Sequence, residues 1–405
     1  MTKEQEYFIE LLSSHINGYI PKAQENIDWK KIFDLSNKHN VTAIVATQIK
    51  LLPENCRVQG KGKSYFNQFL GKTLQSYDEK VDAYNFFVKT LSQNGIKHLI
   101  VKGAVLRDIY PVKELRTSGD TDAVISKQDY EKCKELLLSN GFTLSQDTGE
   151  ELDMYYNGQY FEISNTFEYI NEETKRFFEN PFDEKLSYCE GYTYYLYPIY
   201  HLVYVLYHIL KHIKNGGAGV RMLLDICVLF NKYNIDANEF LTIMTSLNLE
   251  KSSKTILSLC KKLFKLDIPL DYKIDENIEN KLLDTIISGG VFGFSNGNLG
   301  VVRLASSMSN KTSRLSSIKA FFGMFIISKD YLMKFYPYAR RHKILLPIAY
   351  FNRLFDAVFK RGKRNIKNIQ SMFSNENDNA IRLSEVLNEL EIKKKQRGFC
   401  SSLFF

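Results

Sequence analysis

The chain has 405 residues, 44% of them hydrophobic and 25% charged, with a formal net charge of +8. That balance excludes a disordered or low-complexity chain and supplies enough apolar material for two or three domains. The charge is too modest to specify nucleic acid, so no stable nucleic-acid partner is expected; six cysteines without metal-ligand spacing exclude a zinc ribbon or disulfide scaffold and fit a reducing compartment.

Residues 1–77 read as an N-terminal helical region. "EQEYFIELLSSHI" and "WKKIFDLSNKHNVTAIVATQIKLL" carry apolar residues at helical spacing. The first residues have no apolar h-region, so a cytoplasmic location is expected. Residues 78–180 alternate. "YDEKVDAYNFFVKTLSQNGI" is an amphipathic helix stopping at Asn94-Gly95, "KHLIVK" (97–102) a short buried strand and 103–110 a short helix. "DTDAVIS" (120–126) is a second strand, "KQDYEKCKELLLSNGF" a helix closed by Asn140-Gly141, and "QYFEIS" (159–164) a third strand. This order predicts an α+β protein with a small sheet covered by helices.

After Asn180-Pro181 the chain reads as helical to about 275, within a helical domain placed at 181–287. Its most apolar window, "LYPIYHLVYVLYHILKHI", is broken by His201, His208 and His212 and reads as a buried helix, not a membrane span. His208 and His212 share a face, but no glutamate completes a metalloprotease pattern, and a core role is favoured. Residues 288–405 open with the glycine-rich "SGGVFGFSNGNLG" and continue as a basic helical region. It carries "YARRHK", "KRGKRNIKN" and "KKKQR" as solvated faces and a final helix over 375–397.

The chemistry gathers in the middle. Asp120 and Asp122 are two residues apart on a strand and point the same way. Such a pair repels unless a cation sits between, and a metal ion is the usual one. Lys102-Gly103 forms a strand-to-helix turn at which phosphates can approach backbone amides. Glu162 lies between Phe161 and Ile163 on a later strand. It is either a third carboxylate of a two-metal site or a polar residue on the exposed face of an edge strand.

The stretches "LIVKGAVLRDIYP", "RTSGDTDAVI", "YFEIS", "YHLVYVLYHILKHIKNGGAGVRMLLD", "SGGVFG" and "YPYARRHKILLPIAYFNR" resemble a bacterial family of uncharacterised nucleotidyltransferases within the DNA polymerase beta-like superfamily. The resemblance implies a polymerase beta-like mixed sheet with N- and C-terminal helical regions. It implies Asp120, Asp122 and Glu162 as catalytic metal ligands for Mg²⁺ or Mn²⁺, with a nucleoside triphosphate (NTP) as substrate. It places Lys102, Gly103, Arg116, Gly119 and Arg221 around the nucleotide. Two positions depart from the pattern: Ala104 follows the turn glycine where serine is usual, and Ser164 stands where a histidine often follows the third acid.

Arg116 is either a phosphate contact or an ion-pair partner for an aspartate. Arg221 and Asp225 are at i,i+4, either as an internal salt bridge or with Asp225 orienting Arg221 toward the cleft of Asp120. The implied activity is transfer of a nucleoside monophosphate to an acceptor that is a sugar, a protein or a small molecule. The rival reading is a non-catalytic nucleotide-binding or adaptor protein linked to surface-polysaccharide synthesis, with a peripheral membrane or polysaccharide-synthesis partner.

Overall fold

The computed structural model describes residues 1–214, 217–269, 274–291, 336, 338, 342–355, 383 and 385–390. Four helices come first: α1 (Lys3–Asn17), α2 (Trp29–Lys38), α3 (Thr42–Ile49) and α4 (Gly60–Gln93). Thr2 and Gln5 cap α1 reciprocally, and Asp28 caps α2 by accepting from the Lys30 and Lys31 amides. α4 is one helix of 34 residues, so it runs unbroken through position 77, where the sequence reading divides two regions. It stops at Asn94 because Gly95 takes φ +68.

The central elements are β1 (His98–Val101), α5 (Gly103–Asp108), β2 (Asp120–Ile125), α6 (Tyr130–Ser139), β3 (Thr143–Asp147), β4 (Glu151–Tyr156), β5 (Gln159–Ser164), α7 (Glu172–Phe177), β6 (Ser187–Glu190) and β7 (Thr193–Leu196). The strands form one seven-stranded sheet in the order β3-β4-β5-β2-β1-β7-β6. β1 pairs antiparallel with β2 and parallel with β7, and β2 pairs parallel with β5, so the sheet is mixed and the α+β class holds.

Four strands fall where the sequence reading has none. β3 and β4 precede the expected third strand, and β6 and β7 replace the start of the expected helical stretch after 181. Both tight turns carry local signals. Asn157-Gly158, at φ 48 and 76, closes β4 on β5 as a two-residue hairpin of the kind Asn-Gly favours. Gly191, at φ +66, does the same between β6 and β7.

One face of the sheet is apolar. Ile100, Ala123, Ile125, Phe161 and Ile163 pack with Ala83, Phe87 and Leu91 of α4 and Cys133 and Leu137 of α6. Burying each large side chain contributes about 1.5–3 kcal/mol. Strand alternation sends Asp120, Asp122 and Glu162 to the other face.

The remaining helices are α8 (Pro198–Lys214), α9 (Val220–Tyr233), α10 (Ala237–Ser246), α11 (Glu250–Phe264), α12 (Glu276–Gly289) and α13 (Leu346–Phe355). The chain forms two compact units, residues 1–209 with 219–279 and residues 210–218 with 280–405. The first holds the sheet. In the second, Ala349 of α13 is packed by Tyr336, Tyr338, Leu346 and Tyr350. Most of the expected glycine-rich loop, the basic runs at 360–368 and 393–397 and most of the final helix lie outside the described residues. Among the described residues no helix is long and apolar enough to cross a membrane.

Candidate active site

The parallel pairing of β2 and β5 sets Asp122 opposite Glu162. Asp120, Asp122 and Glu162 each offer a carboxylate oxygen, and these oxygens all lie within 4.8 Å of one another. β5 sits between β4 and β2, so Glu162 is on an interior strand and not on an edge. Asp122 is buried; the other two are half-buried.

Crowding acids together in a partly dry place raises their affinity for protons. Burial pushes Glu162 up to about 8, with Lys102 opposing and Asp122 adding to the rise. Burial likewise raises Asp122, against the pull of Lys102. One oxygen of Asp122, Oδ2, is buried without a hydrogen-bond partner among the described residues. An orphaned oxygen within an all-oxygen donor set fits a hard divalent cation such as Mg²⁺ or Mn²⁺.

Lys102 ends β1 with φ 51 and ψ −116, outside the regions that side-chain-bearing residues favour, at a cost of about 1–3 kcal/mol. Its amide donates to Nε2 of His201 on α8 at 3.2 Å. Its Nζ donates to Oδ1 of Asp122 at 2.6 Å and lies 5.8 Å from the centre of the Tyr204 ring. The ammonium thus sits among the acids. A Cβ on Gly103 would meet Ser118 Cβ at 3.0 Å, so any larger residue there must push back the chain entering β2. A Cβ on Gly119 would meet nothing within 4 Å, and packing does not demand glycine at that position.

Asp225 does not orient Arg221. Its two oxygens accept from Nε and Nη2 of Arg116, both at 2.9 Å, and Oδ1 also accepts from the Tyr110 hydroxyl at 2.6 Å. Arg116 Nη1 donates to the Gly103 carbonyl at 3.1 Å. The fork of Arg116 therefore pins the strand-to-helix turn to α9, and the ion-pair reading of Arg116 is the one its contacts fit. Arg221 instead donates through Nη1 to the Thr117 carbonyl, three residues before Asp120.

The sequence reading misses several neighbours. Glu168 lies near enough to act electrostatically on Lys102, Asp122 and Glu162. Asp153 stands opposite Glu162 across β4, and its signal was the alternation of "ELDMYY", where Leu152 and Met154 are buried on either side. His201 gave no signal beyond its place in an apolar window.

Burial lowers the pKa of His201 to about 4, so its ring stays neutral and accepts the Lys102 amide. A depressed histidine pKa gives stability that is complete above about pH 6.5 and lost as pH falls toward 4, about 2 kcal/mol of it by pH 5. Urea unfolding at pH 7 and pH 5 should show this loss in the wild type and a smaller one in His201→Gln. Equal losses in both would show that His201 does not carry the dependence.

A mixed sheet presenting three converging carboxylates beside a glycine turn is equipped for metal-assisted chemistry on phosphate esters. Residues 25–265, more than half of the chain, match the model of a family described as "Uncharacterised nucleotidyltransferase", and the chain belongs to that family. It is accordingly a transferase of nucleotidyl groups by family. No curated protein and no solved structure matches it.

Proposed function

We propose that the protein transfers a nucleoside monophosphate from an NTP to an acceptor hydroxyl at the face formed by Asp120, Asp122 and Glu162. The observation that carries this is the convergence of three carboxylate oxygens within 4.8 Å of one another. These residues would hold Mg²⁺ or Mn²⁺, which when bound stabilises charge on the attacking and leaving oxygens. Glu162, which a bound cation would hold ionised, takes the proton of the acceptor hydroxyl. The acceptor oxygen bonds to the α-phosphorus as the bond from that phosphorus to the β-phosphate oxygen breaks, and pyrophosphate leaves. Lys102 releases Asp122 and turns its charge to the phosphates. Arg116 keeps the turn in place, and Arg221 stands near the mouth of β2. Gly103 lets the chain pass close to Ser118. The polymerase beta-like fold, the cytoplasmic location and a sugar, protein or small-molecule acceptor belong to this reading.

One observation favours a second reading, a nucleotide-binding protein without turnover: the Lys102 ammonium already pairs with Oδ1 of Asp122 and supplies a positive charge among the acids. The test is to incubate the full chain with Mg²⁺, each labelled NTP and a cell extract, with thermal stabilisation by the same nucleotides measured in parallel. Label transferred to an acceptor supports the enzyme. Mg²⁺-dependent stabilisation without any transfer supports the binding protein. Neither effect with any nucleotide overturns both.

A further inference from the structure

A second feature lies toward the α4 side of the sheet. Helices α2, α3 and α4, the end of α5 and residues 114–118 enclose a cavity of about 250 Å³. Lys72, Lys80, Arg107 and Arg116 line it, against a single acid, Glu114. Lys80 lies one turn before Ala83 on α4 and reaches Ser118, two residues before Asp120, whose carboxylate acts on it.

Arg107 marks the cavity as built for a ligand. It is 5% exposed, yet its side-chain Nε is buried without a hydrogen-bond partner among the described residues. Its nearest carboxylate is that of Asp108, at 3.7 Å and largely in solvent. Tyr77 and Tyr84 hold the guanidinium between them, 5.4 and 5.8 Å from their ring centres. Arg116 spends its charge on Asp225. Lys80 is also buried and has only neutral acceptors, the Ser118 carbonyl at 2.5 Å and hydroxyl at 3.1 Å. Burial lowers its pKa to about 8; the Asp120 carboxylate opposes that fall, and the fields of Arg107, Arg221 and Arg116 add to it.

A buried guanidinium whose nearby carboxylate is a solvent-exposed one at 3.7 Å is weakly compensated, so a fold that keeps it gains from an anion that binds it. We propose that this cavity, whose lining includes none of the three carboxylates, binds a phosphoryl-bearing anion through Arg107, Lys80 and Lys72. That the ligand is an anion follows from the charge balance; that it is a phosphate rests on the nucleotidyl-transfer reading. Two sources share this chemistry, the phosphate tail of the NTP and a phosphate on the acceptor. Arg107 supplies the planar fork that matches phosphate oxygens, and Lys80 and Lys72 supply point charges.

The test is calorimetric titration of the full chain with inorganic pyrophosphate in excess chelator. Binding at one site is expected, weakened about tenfold or more in Arg107→Met. Lys72→Met, at an exposed position, should weaken binding to a lesser extent and secures the test should Arg107→Met fold poorly. Glu162→Gln should leave metal-free binding unchanged, so a failure of the catalytic reading is seen separately. A repeat with Mg²⁺ and a non-hydrolysable NTP analogue separates the sources: competition assigns the cavity to the donor's phosphates, and simultaneous binding to the acceptor's. Absence of pyrophosphate binding, or affinity unchanged in both cavity variants, would overturn the proposal.

Discussion

Glu162→Gln is expected to end metal-dependent turnover, by about 1,000-fold or more, while raising the melting temperature of the metal-free protein by about 2–4 °C. Both effects have one source. Glu162 is held beside Asp122 and within the field of Glu168, in a place where burial already disfavours its charge. The amide keeps the shape and removes the repulsion, but it also removes a ligand and the proton acceptor. Asp122→Asn should abolish turnover too, with the opposite effect on stability, because it strips the buried Lys102 ammonium of its closest counter-ion. Melting curves and turnover of the two variants, with and without Mg²⁺, check this. Stability shifts of the same sign in both would contradict the charge arrangement described for β2 and β5.

Asp225→Ala should cost about 3–5 kcal/mol of stability. It leaves the Arg116 guanidinium, 6% exposed, without the carboxylate that receives two of its hydrogen bonds, and it takes away the acceptor of the Tyr110 hydroxyl. Removing both charges in Arg116→Met with Asp225→Leu should recover part of that loss, since an apolar pair leaves no buried charge alone. Denaturant unfolding of the two single variants and the double variant gives the coupling. Losses below about 1 kcal/mol in Asp225→Ala, or strict additivity in the double variant, would show that the fork contributes little.

The readable parts of the chain were those that act over short distances. The D-x-D strand, the glycine after Lys102 and the amphipathic run ending at Asn94-Gly95 each carry their meaning within a few residues, and β1, β2 and β5 stand close to where their apolar patterns place them. The seven-stranded sheet was not readable in full. β6 and β7 are four residues each and rich in tyrosine, so the alternation that marks a longer strand has no room to develop. β4 and its Asn157-Gly158 turn did carry a signal, which the sequence reading passed over. The partner of Asp225 was beyond local inference. Arg221 lies one helical turn away and invites pairing, yet the carboxylate bonds Arg116, 109 positions earlier in the chain. Only the packing of α9 against the turn decides between them.

The pairing of β1 has a bearing on synthesis from the ribosome. One side of this strand is covered early, by β2, but the other waits for β7. Thr193, whose hydroxyl meets the His98 ring at 2.9 Å, is made 95 residues after that histidine. Until then a nascent chain holding Lys102 in its unfavourable backbone state presents a bare row of amides and carbonyls from four apolar-flanked residues, with His201 not yet available to take the Lys102 amide. A piece cut at position 180 would stay in that condition permanently and would expose an edge open to pairing with another molecule. The smallest portion able to close its own sheet must therefore extend through Leu196, and one that also secures the turn must reach Asp225.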